Sequence, residues 1–161
     1  MIPLRTGRLL LRAFRLDDVD NLVALDADPA VREFLDMPEA PAAKQAEEWL
    51  TRIAVNYPEG SARGYWAAEE DGRFVGWFHL RPARDTGECE IGWRLRKDAW
   101  GRGLATEGGR ALIDLAEERV IARTMIANAR SRRVMVKLGM TPVREFLYDD
   151  RLPCVEYATT P

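Results

Sequence analysis

Trp100-Gly101-Arg102-Gly103-Leu104-Ala105-Thr106-Glu107-Gly108-Gly109 reads as a glycine turn running straight into a helix, and this reading decides the fold. Gly101 and Gly103 carry no Cβ, so the chain turns sharply and aims consecutive backbone N–H groups at one point, where the positive end of the following helix dipole adds to them. Such a turn suits a phosphate. Upstream, residues 90–95 read as a strand, and downstream, residues 120–127 read as another, so the order is strand, glycine loop, helix, strand. A connection of that length joins parallel neighbours through a right-handed crossover. The general nucleotide motifs fail here: the third glycine of a dinucleotide fingerprint falls on Thr106, and the Gly-Lys-Ser/Thr step of a P-loop is absent.

Outward from this loop the chain alternates strands and helices without repeats. Residues 9–14 read as a strand, Asp17 or Asp18 caps a helix to about 28, and Pro29 starts a short turn to 35. Pro38 and Pro41 break the chain before a helix over 42–55, in which Ala46, Trp49, Leu50 and Ile53 recur at helical spacing and form a core stripe. The strands 64–69 and 74–80 are joined across Asp71-Gly72, a strong hairpin signal. Residues 88–95 form the strand before the loop, and 104–118 the helix after it. Then come the strand 120–127, a helix over 130–138 ended by Gly139, and strands over 142–148 and 155–159.

Composition fits a compact folded domain. The 161 residues suit a single domain, residues 1–161, and 47% apolar with 31% charged residues argues against disorder. Apolar runs fall far short of a membrane span, and no basic segment precedes an apolar one at Met1, so the expected compartment is the cytoplasm. Cys89 and Cys154 lack metal-ligand spacing and read as buried thiols, so no metal is expected. A net charge of −2 argues against direct nucleic-acid binding. The basic residues are grouped: Arg94, Arg96, Lys97 and Arg102 flank the loop, and Arg130, Arg132, Arg133 and Lys137 lie on the next helix. Most of the second group reads as a solvated helix face. A homodimer is compatible with all of this.

The loop is close to Gln/Arg-x-x-Gly-x-Gly/Ala, with Trp100 first and Gly103 and Ala105 in the fourth and sixth places. In its setting it resembles the acetyl-CoA pyrophosphate loop of the GNAT N-acetyltransferase superfamily. Asn128-Ala129-Arg130-Ser131-Arg132-Arg133-Val134-Met135-Val136-Lys137-Leu138-Gly139-Met140 is similar to the asparagine, serine and Lys-Leu-Gly-Met run of the RimJ/RimL-like branch. The opening Leu9-Leu10-Leu11-Arg12-Ala13-Phe14-Arg15-Leu16-Asp17-Asp18 also resembles that branch. The resemblance spans nearly the whole chain and implies an α+β fold. It consists of a mixed, mostly antiparallel sheet of six or seven strands, helices on both faces, and one parallel strand-helix-strand crossover. The sequence departs from the family where the helix passes through Ala116-Glu117-Glu118-Arg119 into the next strand without a glycine or spacer. Either the crossover is tight or a mobile stretch is missing from it. The chain also stops at Pro161, where relatives often carry a further helix on the acceptor side.

The resemblance implies acetyl transfer from acetyl-CoA to a primary amine, on a small molecule or a protein N-terminus, by direct attack and without a metal. Gly101, Arg102, Gly103, Leu104, Ala105 and Thr106 would hold the pyrophosphate through backbone N–H groups. Charge-assisted bonds of this kind contribute about 1.5–3 kcal/mol each. One or two of the neighbouring basic side chains would add to that grip. The backbone of Trp93, Arg94 and Leu95 would pair with the pantetheine arm, and an N–H near Ile91 to Trp93 would polarise the thioester carbonyl. Asn128 corresponds to the family asparagine on the CoA arm, and it is also a natural helix cap. Seven residues after it, where the wider superfamily often has a proton-donating tyrosine, stands Met135. Ser131 can instead hydrogen-bond the departing sulfur, or serve as a capping serine.

For the base, alternation along 88–95 puts Cys89, Ile91, Trp93 and Leu95 on one face and Glu88, Glu90 and Arg94 on the other. Glu90 is the first candidate, directly or through water. His79, sharing a face with Val75 and Trp77, is the second. An α-amine with a pKa near 7.7 is about 15% neutral at pH 7 against about 0.04% for lysine, a gap of roughly 3.7 kcal/mol. A low-pKa amine thus fits a site without an obvious base. The alternative class is a CoA-binding sensor module without catalysis, which the Met135 substitution and the short crossover would fit.

Overall fold

The computed structural model describes residues 2–58 and 60–160. Its strands are β1 (Leu4–Arg5), β2 (Leu9–Ala13), β3 (Gly64–Glu70), β4 (Arg73–Pro82), β5 (Cys89–Leu95), β6 (Val120–Met125), β7 (Thr141–Tyr148) and β8 (Leu152–Ala158). They form one sheet in the order β1-β2-β3-β4-β5-β6-β8-β7. Every neighbouring pair is antiparallel except β5 and β6. The sheet has eight strands rather than the expected six or seven, because the two-residue β1 pairs with β2 through Leu4 and Arg5. A strand that short carries no periodicity to read.

Helices cover both faces. The helices α1 (Val19–Ala27), α2 (Pro29–Arg32) and α3 (Ala43–Asn56) lie on one side. Their Leu22, Leu25, Val31, Ala46, Leu50 and Ile53 pack against Ala67, Phe74 and Trp77. On the other side lie α4 (Leu104–Ala116) and α5 (Ala129–Lys137), with Leu104, Leu112 and Met135 packed against Trp66, Phe78 and Ile91. Each such fully buried large side chain contributes about 1.5–3 kcal/mol. The stripe predicted over α3 is the buried one, with Trp49 at its edge. The helix α4 comes close to the sheet because Gly108 has no side chain: a Cβ there would lie 2.4 Å from Phe78 Cζ.

Local signals explain most boundaries. Asp71 (φ +50) and Gly72 (φ +77) form the β3-β4 hairpin turn with two left-handed residues. Asp28 caps α2 by accepting from the Ala30 N–H at 2.9 Å. Gly139 (φ +80) ends α5, with the Met140 N–H donating to the Met135 carbonyl at 3.1 Å. Asp18 begins α1 but does not cap it with its side chain. That carboxylate, 1% exposed, accepts from Arg12 Nη1 at 2.7 Å and Nη2 at 2.9 Å, from the Arg15 N–H and from Asn21. Burial by itself would raise its pKa; the hydrogen bonds outweigh this and hold the carboxyl below its ordinary range.

The crossover is tight. The helix α4 stops at Ala116 because Glu117 turns left-handed (φ +52), and β6 begins at Val120 beside Cys89. A non-glycine residue in that conformation costs about 1–2 kcal/mol. Ion pairs of Glu118 with Arg63 and of Arg119 with Glu88 fasten the turn to the sheet. A register shift opposite Ala68 and Glu69 adds one residue to β4. Val75 therefore packs in the core under α4, and only Trp77 stays with His79, correcting the expected grouping.

Candidate active site

The strands β5 and β6 pair only at Cys89–Val120 and Glu90–Ile121, then part. Into the opening run the glycine loop, the start of α4, the first turns of α5 and the α2 segment. The resulting cleft, about 270 Å³, is lined by Ala30, Val31, Phe34, Leu35, Trp93, Arg94, Leu95, Ala99, Trp100, Gly101, Gly103, Leu104, Ala105, Thr106, Asn128, Arg130, Ser131, Arg133, Val134 and Lys137. It passes from the face of α4 and α5 to the face of α2. Its lining carries four cations and no carboxylate or imidazole among the described residues.

Both loop glycines are left-handed, Gly101 at φ +73 and Gly103 at φ +83, the latter being the residue before α4. Leu104, Ala105 and Thr106, the first residues of α4, line the cleft beside them. The loop is braced from below by residues that the sequence did not mark. Arg8 Nη1 donates to the Arg102 carbonyl at 2.9 Å, and Arg8 Nε donates to Glu107 Oε2 at 2.8 Å. Glu107 also accepts from the Arg8 N–H at 2.7 Å and from Thr6 Oγ1 at 2.5 Å. Although burial opposes it, this set of donors holds Glu107 below its usual pKa. Its charge is thereby compensated within the first helical turn. In sequence, an acid at that position is indistinguishable from ordinary helix-dipole matching.

Ten of the thirteen expected site residues come together. Trp93, Arg94, Leu95, Gly101, Gly103, Leu104, Ala105, Thr106, Asn128 and Ser131 all line the cleft. Asn128 caps α5, its Oδ1 accepting from the Ser131 N–H at 3.1 Å, while its Nδ2 donates to Thr124 Oγ1 at 3.1 Å. The Ser131 hydroxyl takes no partner among the described residues, and Ser131 is half-buried in the cleft wall. Met135 is 1% exposed in the core and does not line the cleft.

Arg102, Glu90 and His79 stand outside the lining. The Arg102 side chain points away, both its terminal nitrogens donating to Glu70 at 2.7 Å, so only its backbone belongs to the loop. Glu90 lies at the last level where β5 still pairs with β6, below the parting, and is ion-paired to Arg81 at 3.0 Å. Burial raises its pKa against the lowering effect of Arg81 and Arg123. His79 sits across from Gly92, so close that a Cβ at Gly92 would lie 2.4 Å from the ring. Both ring nitrogens are buried without a partner among the described residues. Burial, with Arg81 and Arg94 nearby, brings its pKa down to about 3. The ring is neutral at neutral pH and lies outside the cleft lining.

Among the cations, Arg130 stacks on Trp100 at 4.4 Å and pairs with Glu33 at 3.1 Å, tying α5 to the α2 segment. Arg94 lies over the Trp77 ring at 4.9 Å, and its Nη1 donates to Asp26 Oδ1 at 2.8 Å.

Residues 8–141 match the acetyltransferase (GNAT) domain family, so the chain belongs to the GNAT acetyltransferases. Its sequence is 32% identical over 171 aligned residues to the FsC-acetyl coenzyme A-N(2)-transacetylase of Aspergillus fumigatus, covering 95% of this chain and 72% of that protein. Two solved structures share the fold. RimL, the ribosomal L7/L12 alpha-N-protein acetyltransferase in complex with coenzyme A, has a TM-score of 0.82 at 16% identity over 98% of this chain and 97% of its own. The microcin C7 self-immunity acetyltransferase MccE, in complex with acetyl-CoA and AMP, has a TM-score of 0.80 at 13% identity over 96% and 93%.

Proposed function

We propose that this chain is an N-acetyltransferase that moves the acetyl group of acetyl-CoA directly to a primary amine of low pKa. The observation that carries the reading is the single cleft in which the glycine loop, the parted edge of β5 and Ser131 meet. Acetyl-CoA supplies an activated thioester. Backbone N–H groups from Arg102 to Thr106 hold its pyrophosphate, and Arg133 and Lys137 add positive charge from α5. The β5 backbone from Trp93 to Leu95 takes the pantetheine arm as a neighbouring strand would, and an N–H near Ile91 to Trp93 polarises the carbonyl. The Ser131 hydroxyl then donates to the departing sulfur as charge develops there.

The acid-free lining bears on the acceptor. No carboxylate among the described lining residues draws in an ammonium, so the amine that reacts is one with a substantial neutral fraction at pH 7, an α-amine rather than a lysine side chain. Glu90 reaches the amine through water from below the parting of the strands. The relative from Aspergillus fumigatus acts at an N(2) nitrogen and RimL at an α-amine, as their names state, which supports nitrogen as the acceptor atom. The burial of Met135 takes away the main sequence feature that suited a non-catalytic sensor. The whole chain acts as one domain in this reading. Its two buried free cysteines suit the cytoplasm, and no described helix is long and apolar enough to cross a membrane.

The test combines binding and turnover. Acetyl-CoA at a hundred times its Kd stabilises the fold by about 2.7 kcal/mol. A panel of α-amines releases free CoA thiol. No thermal shift at millimolar acetyl-CoA, or a shift without thiol release from any amine, refutes the proposal.

A further inference from the structure

Two of the four cations lining the cleft are compensated, Arg94 by Asp26 and Arg130 by Glu33. The other two, Arg133 and Lys137, make no ion pair among the described residues, and both are exposed. They stand four residues apart on α5, so they share one face of it, and like charges at that spacing destabilise a helix. An anion between them removes that cost. A third cation stands behind them: Arg110 of α4 donates from Nη2 to the Lys137 carbonyl at 2.6 Å. The acid nearest to it along α4 on the loop side, Glu107, is taken by Arg8. The packing of the two helices fixes the level of this group. A Cβ on Gly109 would lie 3.0 Å from Cδ1 of Leu138, the residue after α5, so the end of α5 rests beside Gly109 and Arg110. Arg110 is four residues beyond Thr106 and six beyond Leu104, about 6–9 Å along the helix axis. The uncompensated charges therefore stand beside the phosphate seat at the glycine loop, not in it.

Resting on the acetyl-CoA reading above, we propose that Arg133 and Lys137 form a second phosphate site, which takes the 3′-phosphate of the donor and selects acetyl-CoA over its dephospho form. Coenzyme A carries the pyrophosphate on the 5′ carbon of its ribose and a separate phosphate monoester on the 3′ carbon. A ribose tethered at the loop by the first presents the second a short distance away. That monoester bears a charge of about −1.5 to −2 at pH 7. Arginine offers it a two-pronged grip, and lysine a point charge on a flexible stem. Arg110 occupies the last turn of α5, whose carbonyl groups would otherwise repel the phosphate.

The experiment compares acetyl-CoA with acetyl-dephospho-CoA by titration calorimetry, at low and high salt, for wild type and for the double variant Arg133→Gln with Lys137→Gln. Both positions are exposed, and a thermal melt without ligand reports that the variant is folded. Wild type is expected to bind acetyl-CoA more tightly than the dephospho donor by about tenfold or more at low salt. High salt narrows that gap, because the site is open to water. The double variant binds the two donors alike. A wild type that binds both donors alike, or a folded double variant that keeps the full preference, overturns the proposal and returns the two side chains to a solvated helix face. A wild type that binds neither donor refutes the acetyl-CoA reading itself.

Discussion

Gly103→Val separates what the glycine loop does for the fold from what it does for the ligand. Gly103 stands at φ +83 immediately before α4, and Gly139 stands at φ +80 just after α5. Nothing lies within 4 Å of a Cβ built on Gly139, and only Arg8 Nη2, at the ordinary contact distance of 3.6 Å, meets one built on Gly103. Valine at either position therefore suffers the same left-handed backbone strain, about 1–2 kcal/mol. For a chain of this size that strain lowers Tm by about 2–8 °C. Only at Gly103 does the added side chain stand where a phosphate must approach the backbone. Losing two phosphate bonds of about 1.5–3 kcal/mol each weakens acetyl-CoA binding by more than two orders of magnitude. Titration calorimetry, with thermal melts in the presence and absence of acetyl-CoA, reads both effects. Gly139→Val is expected to melt earlier with normal affinity, and Gly103→Val to melt earlier without a ligand shift. Equal affinity in the two variants would show that the loop does not hold the phosphates.

Two further outcomes concern the chemistry. Ser131→Ala lowers kcat while leaving acetyl-CoA affinity nearly unchanged, because a bond to the departing sulfur strengthens only as charge develops; unchanged single-turnover rates would return Ser131 to a capping role beside Asn128. Glu90→Gln removes a carboxylate whose pKa burial has raised, so wild-type activity falls as pH drops through that raised value and the variant lacks this limb. With a strongly basic amine the variant is slow at pH 7 and recovers as rising pH supplies neutral amine, and with an α-amine the loss is smaller. Profiles identical to wild type would leave deprotonation to bulk water.

The elements were legible wherever a local signal fixed them. The double left-handed turn at Asp71-Gly72, the Asp28 cap and the Gly139 terminator each state their structure in two or three residues. The glycine loop and the asparagine-to-serine segment likewise identified one wall of the cleft, because backbone conformation and capping are properties of the nearby chain. Features decided between distant segments were not legible. Asp18 is a good cap by type, but Arg12 offers it a buried two-pronged bond, and the tertiary partner wins. The brace from Arg8 to Glu107 joins residues 99 apart. That Glu90 stands outside the cleft lining was hidden for a similar reason. Alternation gives the face on which Glu90 lies, whereas only the register of β5 against β6 shows that it sits below the point where they part.

That point of parting ties the site together. An interior strand normally has partners on both edges, because buried backbone N–H and C=O groups without bonds are costly. Here the β5-β6 ladder stops after two residue pairs, and the edge of β5 beyond Glu90 faces the cleft. Part of that edge is satisfied internally, since Trp100 Nε1 donates to the Leu95 carbonyl at 2.8 Å. This bond also anchors the start of the glycine loop to the end of the strand. The residues between Glu90 and Leu95 are left to an extended amide-bearing chain that can replace β6 as a partner. An arm bound along that edge leads at one end to the N–H groups before α4. Its other end lies where the two faces of the sheet communicate, with Ser131 approaching from α5 and Arg94 from the face of α1. A donor with a phosphate group, amides and a reactive terminus in that order matches the site's sequence of functions. In the proposed reading the break in the ladder does two things: it exposes backbone for the donor, and it opens a passage by which an acceptor would reach the donor from the opposite face.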